Sequence, residues 1–228
     1  MIEDVLRTSS TPSWQRELRA LRDRLKEDLT IIPQLALGAG SKNPKPAKTV
    51  STLLSEATQK ERYQHFFYRL AQWNKSTKIL ELGTQLGVTT WVFAQAVGPE
   101  GRVVSIEGNP AMMAKARTLL DQWSQVELLE GSFDEVLPDL LQAERFDLIY
   151  IDGNHTYEAT VRYFDWLVAS QRGEGVLIFD DINWSAEMQR AWRYIENHPQ
   201  AYYTVDLFQV GLVFLSPQLK KQSFCLQF

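Results

Sequence analysis

From residue 78 onward the apolar positions switch between two rhythms. KILEL (78–82), RVVSIE (102–107), VELLE (126–130), FDLIYID (146–152) and GVLIFD (175–180) are short runs dense in branched aliphatics, and they read as strands. Between them, VTTWVFAQAV (88–97), PAMMAKARTLLDQW (110–123), DEVLPDLLQA (134–143), YEATVRYFDWLVAS (157–170) and SAEMQRAWRYIEN (185–197) read as helices. Pro110 falls where a helix tolerates it, in the first turn. YYTVDLF and VGLVFLS then predict two strands joined by a tight turn. Strands that are apolar on both faces and alternate with helices imply a parallel sheet covered on both sides, the α/β class. Ligands of such sheets bind beyond the carboxyl ends of the strands. Chemistry is therefore expected just after residues 82, 107, 130, 152 and 180.

Residues 1–77 follow a different pattern and read as a helical extension with a loop. Trp14, Leu18, Leu21, Leu25 and Leu29 recur at helical spacing and predict a helix over 13–30, with Ser13 as its N-cap. This helix is expected to pack on the main domain or on a second copy of the chain, which leaves a homodimer open. Residues 38–49 (GAGSKNPKPAKT) read as a loop, because proline disfavours helix at the residue before it. Its three lysines fit a contact surface, a lid or a solvated linker. Residues 55–73 predict a second helix with Tyr63, Phe66, Phe67 and Leu70 on one face and a structural His65 beside it.

Composition narrows the function classes. The chain has 228 residues, room for one full α/β domain but not for two. Its net charge is −4, so the basic field that bulk nucleic acid attracts is missing and no nucleic-acid partner is expected. The lone cysteine, Cys225, allows no intrachain disulfide. The N-terminus lacks the pattern of a secretory leader, and no apolar run approaches the roughly 20 residues of a membrane span. A cytoplasmic protein without membrane contact is the expectation.

The first strand runs into Glu81-Leu82-Gly83-Thr84-Gln85-Leu86-Gly87. Two glycines four residues apart let backbone turn tightly and approach a ligand closely. The GxGxxG dinucleotide fingerprint is not present, which argues against a nicotinamide or nucleotide-sugar oxidoreductase. The second strand ends at Glu107, placed to accept hydrogen bonds from ribose hydroxyls or to cap the helix at Pro110. After the third strand, Ser132 or Asp134 could cap a helix, or the segment could frame an adenine ring.

ILELGTQLGVTT, VVSIEGNP, GSFDE, FDLIYIDGNH and GVLIFDDINW, in this order over residues 78–216, resemble the class I S-adenosylmethionine-dependent methyltransferases. Within these they are most similar to the branch of catechol O-methyltransferase and bacterial small-molecule O-methyltransferases. The resemblance implies a three-layer Rossmann-like methyltransferase domain over 78–228. Its mostly parallel sheet would have seven strands, with one antiparallel strand in the C-terminal hairpin. It also implies that Gly83 and Gly87 line the methionine part of S-adenosylmethionine. Glu81 and Thr84 would lie near its amino or carboxylate group, Glu107 would hold the ribose, and Ser132 and Phe133 would lie by the adenine.

Asp152, Asp180 and Asp181 fall at the ends of neighbouring strands. Like charges brought together need neutralising, and a hard divalent cation with oxygen ligands would do so. In the catechol-type enzymes the matching positions hold magnesium, the third usually through Asn where this chain has Asp181. Alternatively, Asp152 contacts only the cofactor and Asp181 only caps a turn. His155 matches a lysine that deprotonates the acceptor hydroxyl in those enzymes, and an imidazole suits that task near neutral pH. The structural alternative is that His155 orients the helix beginning near Tyr157. Trp184 fits either the wall of an aromatic acceptor site or rim packing. The expected reaction is methyl transfer to a small-molecule oxygen, with N-methylation or a non-catalytic cofactor-binding scaffold as the alternatives.

Overall fold

The computed structural model describes residues 5–6, 12–35, 46–171 and 175–226. In chain order the elements are α1 (Gln15–Lys26), β1 (Ile31–Ile32), β2 (Lys48–Thr49), α2 (Val50–Ala57), α3 (Glu61–Trp73), β3 (Lys78–Leu82), α4 (Val88–Val97), β4 (Arg102–Glu107), α5 (Pro110–Leu120), β5 (Val126–Glu130), α6 (Phe133–Ala143), β6 (Leu148–Ile151), α7 (Tyr157–Gln171), β7 (Val176–Asp180), α8 (Ala186–Asn197), β8 (Tyr203–Asp206), β9 (Val210–Phe214) and β10 (Gln222–Cys225). The main sheet runs β10-β8-β9-β7-β6-β3-β4-β5. It has eight strands where seven were expected. The extra one is β10, a short exposed edge strand parallel to β8. Its residues, Gln-Ser-Phe-Cys, carry little of the alternation that marks a strand in sequence. Only β9 is antiparallel to its neighbours, β7 and β8.

The pleat sorts residues onto two faces. Leu80, Leu82, Ile149, Ile151, Leu177 and Phe179 pack with residues of α6, α7 and α8. Ile79, Leu148, Tyr150, Val176 and Ile178 pack on the other side against Phe66, Phe67 and Leu70 of α3 and Phe93 of α4. Register then aligns the strand ends. Glu81 lies beside Tyr150 and Tyr150 beside Ile178, so Asp152 and Asp180, two residues further along each strand, follow on that same α3-covered face. Strand order reverses between β3 and β6, since β4 and β5 lie to one side and β6 and β7 to the other. That reversal opens a crevice at the carboxyl edge.

The N-terminal extension shares a core with this domain. Trp14, Leu18, Leu21 and Leu25 of α1 and Val50, Leu53 and Leu54 of α2 cluster with Leu86, Trp91 and Val92 at α4 and with Ala116 and Leu120 of α5. Three local expectations change. Trp14, not Ser13, occupies the N-cap of α1, with no side-chain cap, because a turn from Pro12 to Gln15 starts the helix. Leu29 lies beyond the helix end at Lys26 and is 73% exposed. The helix expected over 55–73 is two helices, α2 and α3, separated at Thr58–Lys60, with α2 capped by the Thr49 hydroxyl. The loop expected at 38–49 lies outside the described residues up to Lys45, and its last two residues form β2, paired with β1.

Candidate active site

A cavity of about 480 Å³ lies in the crevice, within the range of small-molecule sites. Gly83, Glu107, Asp152, His155, Asp180, Asp181 and Trp184 line it, as the reading of strand ends anticipates. Asn109 and Met112 from the start of α5, Thr58–Lys60 from the α2–α3 break, and Leu35 from the extension complete the wall.

Gly83 makes the first turn. Its φ is +108°, and a Cβ there would stand 2.0 Å from the carbonyl oxygen of Asp152. Only glycine fits this close approach of the β3 and β6 ends. Gly87, also at positive φ, begins α4 and packs toward Ala116 and Leu120 rather than lining the cavity.

Glu107 is 9% exposed. One of its oxygens accepts the Gln85 amide N–H and the other the Asn109 amide N–H, each at 2.8 Å. Each oxygen keeps a further lone pair for a ligand hydroxyl. Burial pushes its pKa up, against the pull of those amides.

Glu81 and Thr84 are buried next to this wall, and Thr84 lines a small side pocket with Gly83 and Asp152. Glu81 is fully buried and accepts hydrogen bonds from the hydroxyls of Thr90 and Ser105 (2.6 Å to the latter). Burial raises its pKa to about 8, so it is mostly protonated at pH 7. Thr84 shares a hydrogen bond with the Ser105 hydroxyl at 2.6 Å. Ser132 and Phe133 are likewise off the cavity wall. Ser132 forms a capping box with Glu135 at the start of α6, and the Phe133 ring packs on Tyr163, where it fills the space a Gly153 side chain would need.

The three aspartates hold distinct contacts. Asp180 is 3% exposed. Its Oδ2 accepts from Gln59 Nε2 and from the Tyr150 hydroxyl at 3.1 Å, and its Oδ1 accepts from the Asp181 amide at 2.9 Å. Burial foremost, then Asp152 and Asp181, push its pKa well above the carboxylate range. The Tyr150 hydroxyl also reaches Asp152 Oδ2 at 3.0 Å. Asp181 has φ +55° and a pKa raised chiefly by burial. Asp152, Asp180 and Asp181, the metal-ligand set expected from the sequence, all line the one cavity. Among the described residues, no group of three or more His, Cys, Asp or Glu side chains is arranged to hold a metal ion. Protein donors already engage both Asp180 oxygens.

His155, just after β6, lines the same cavity. Its Nε2 lies 3.5 Å from Asp152 Oδ1, and its ring centroid is 5.9 Å from that of Trp184, which is 64% exposed. An imidazole and an indole therefore neighbour the Asp152 carboxylate on the cavity wall, and Asp152 in turn adjoins Gly83.

Sequence reasoning missed Tyr150 and Gln59. Tyr150 was recoverable. A polar ring in an otherwise aliphatic strand, two residues before Asp152, must lie on the same face as Asp152. Gln59 had no such signal, because the break that holds it contains neither glycine nor proline.

A family model described as a methyltransferase domain matches residues 80–182. The catechol O-methyltransferase of Niastella koreensis is 32% identical over 122 residues, 51% of this chain and 54% of that protein. That of Mycobacterium tuberculosis is 32% identical over 120 residues, 51% of this chain and 53% of that protein. The chain thus spans about half the length of the curated relatives it matches. The O-methyltransferase of Bacillus cereus, solved in complex with SAH, superposes with a TM-score of 0.60 over 93% of this chain and 94% of that one. At 20% identity, it establishes the fold. Among the described residues, no helix is long and apolar enough to cross a membrane.

Proposed function

We propose that this chain transfers the methyl group of S-adenosylmethionine to a hydroxyl oxygen of a small-molecule acceptor. The observation that carries this reading is the single cavity shared by Gly83 and Glu107 at one end and His155 and Trp184 at the other. The cradle suits the cofactor: Gly83 lets the β3 end approach the Asp152 backbone closely at the cavity wall, and Glu107 presents lone pairs where ribose hydroxyls would lie. S-adenosylmethionine supplies a methyl carbon on a sulfonium, which the acceptor oxygen displaces to leave S-adenosylhomocysteine. Gly83 and Asp152 border the amino-acid part, and Glu107 binds the ribose.

The acceptor enters from the His155 side. There the exposed Trp184 ring offers a flat apolar face, and His155 takes the hydroxyl proton as the oxygen attacks. Holding two reactants in line supplies roughly 7–11 kcal/mol of a barrier of this kind, and the crevice walls perform that task. Oxygen is preferred to nitrogen because a hydroxyl needs a base, and the cavity wall carries one. No step of this reading is assigned to a cation.

Calorimetry with S-adenosylmethionine and S-adenosylhomocysteine, followed by turnover on phenols, catechols and sugars, tests this reading. His155→Ala is expected to lower turnover by about 10²–10⁴ while S-adenosylhomocysteine affinity stays within about threefold. Metal-stripped protein is expected to turn over without added magnesium. Failure to bind either nucleoside would overturn the proposal. Turnover that requires magnesium would restore the cation to the site.

A further inference from the structure

The break between α2 and α3 inserts two side chains into the carboxyl edge of the sheet, and they grip opposite ends of the crevice. Thr58 donates its hydroxyl to the side-chain carbonyl of Gln85 at 2.9 Å, and the Gln85 amide N–H is the one held by Glu107. Gln59, the next residue, turns to the acceptor end. Its Nε2 donates to Asp180 Oδ2, and its Oε1 accepts from Gln209 Nε2 at 3.2 Å. Its main-chain carbonyl accepts from Arg22 of α1 at 3.0 Å. Gln59 is 6% exposed, and both ends of its amide have partners.

We propose that Gln59 is a positioning residue that fixes the Asp180 carboxyl and the Gln209 amide on the acceptor wall and ties them to the N-terminal extension. This rests on the reading of the cavity as a methyl-transfer site. Asp180 is bracketed by Tyr150 from the sheet and Gln59 from the extension, both donating to one oxygen. Tyr150 also serves Asp152, so it cannot alone orient Asp180. Gln209 belongs to the turn between β8 and β9, and a second contact from that turn, the Phe208 carbonyl to Asn183 Nδ2 at 2.9 Å, borders the Asp181–Trp184 segment. Gln59 thus joins three pieces of chain distant in sequence: the extension, the end of β7 and the β8–β9 turn. Thr58 makes the parallel link at the cofactor end, so the same three-residue break clamps both halves of the crevice.

The test uses the full chain and two readouts. The first is the side-chain amide of Gln59 in ¹⁵N spectra, expected to show an exchange-protected proton in the wild type. That protection is expected to vanish in Asp180→Ala while other glutamine side chains keep theirs. The second is the crystal structure of Gln59→Met bound to S-adenosylhomocysteine. The Asp180 carboxyl and the Gln209 side chain are expected to take new rotamers, with the nucleoside Kd within threefold of wild type, and Gln59→Asn is expected to restore part of the native arrangement. An unprotected Gln59 amide in the wild type, or an unmoved Asp180 in Gln59→Met, would overturn the proposal. The spectra need only wild type and Asp180→Ala, so they decide the matter even if Gln59→Met fails to fold. Absence of nucleoside binding would count against the methyl-transfer reading and not against the Gln59 contact.

Discussion

Replacing Gly83 by alanine adds one methyl group at the point where the ends of β3 and β6 come closest. Two costs follow. The backbone sits at φ +108°, which side chains with a Cβ rarely adopt, and such strain costs about 1–3 kcal/mol. The new Cβ would also lie 2.0 Å from the Asp152 carbonyl oxygen, so β6 must retreat, and overpacking of this kind costs about 1–3 kcal/mol more. Reduced freedom of the unfolded chain offsets about 0.4–1 kcal/mol. The expected net loss is about 2–5 kcal/mol, a large part of a typical domain's stability. Gly98→Ala separates the two costs. Its φ is +70° and nothing lies within 4 Å of the added Cβ, so strain alone acts and about 1–2 kcal/mol is expected. Urea unfolding of both variants gives the comparison, and calorimetry with S-adenosylhomocysteine gives the functional readout. Gly83→Ala should weaken binding at least about tenfold, or 1.4 kcal/mol, and Gly98→Ala should leave it unchanged. If the two variants are equally stable and bind alike, the close approach of the β3 and β6 ends does not shape the site.

Glu107→Gln should lower S-adenosylhomocysteine affinity by about 10–100-fold in calorimetry, since a hydrogen bond to a charged group contributes about 1.5–3 kcal/mol. Ser132→Ala removes the α6 cap, so it should cost about 1 kcal/mol in urea unfolding and leave nucleoside affinity untouched. Glu81 gives a pH signature. Its folded pKa of about 8 exceeds its unfolded value of 4.5, so the native state holds a proton that the unfolded state releases. The stabilisation is fully present below about pH 4.5 and is lost as pH rises through about 8, by up to about 1.4 kcal/mol per unit. Glu81→Gln should flatten that part of the stability profile, and an unaltered slope would show that Glu81 is charged when buried.

The sequence by itself determined the alternation of strands and helices from residue 78, the parallel sheet, and the edge at which a ligand must bind. Those features follow from short-range periodicity, which the chain carries locally in runs such as KILEL and FDLIYID. It also placed Gly83, Glu107, Asp152, His155, Asp180 and Asp181 at one cleft, because all follow strand ends. Tertiary structure decided which neighbours of these residues reach the cavity. Glu81 turns toward Ser105, because the register of β3 with β4 sets the two side by side, and the Thr84 hydroxyl bonds to Ser105 as well. Ser132 caps its own helix, a local bond that keeps its hydroxyl from the cavity. Gln59 reaches Asp180 across 121 positions of chain. No local rhythm encodes a partner at that distance. Only the packing of the extension on α4 and α5, which seats the α2–α3 break at the sheet edge, brings the two together.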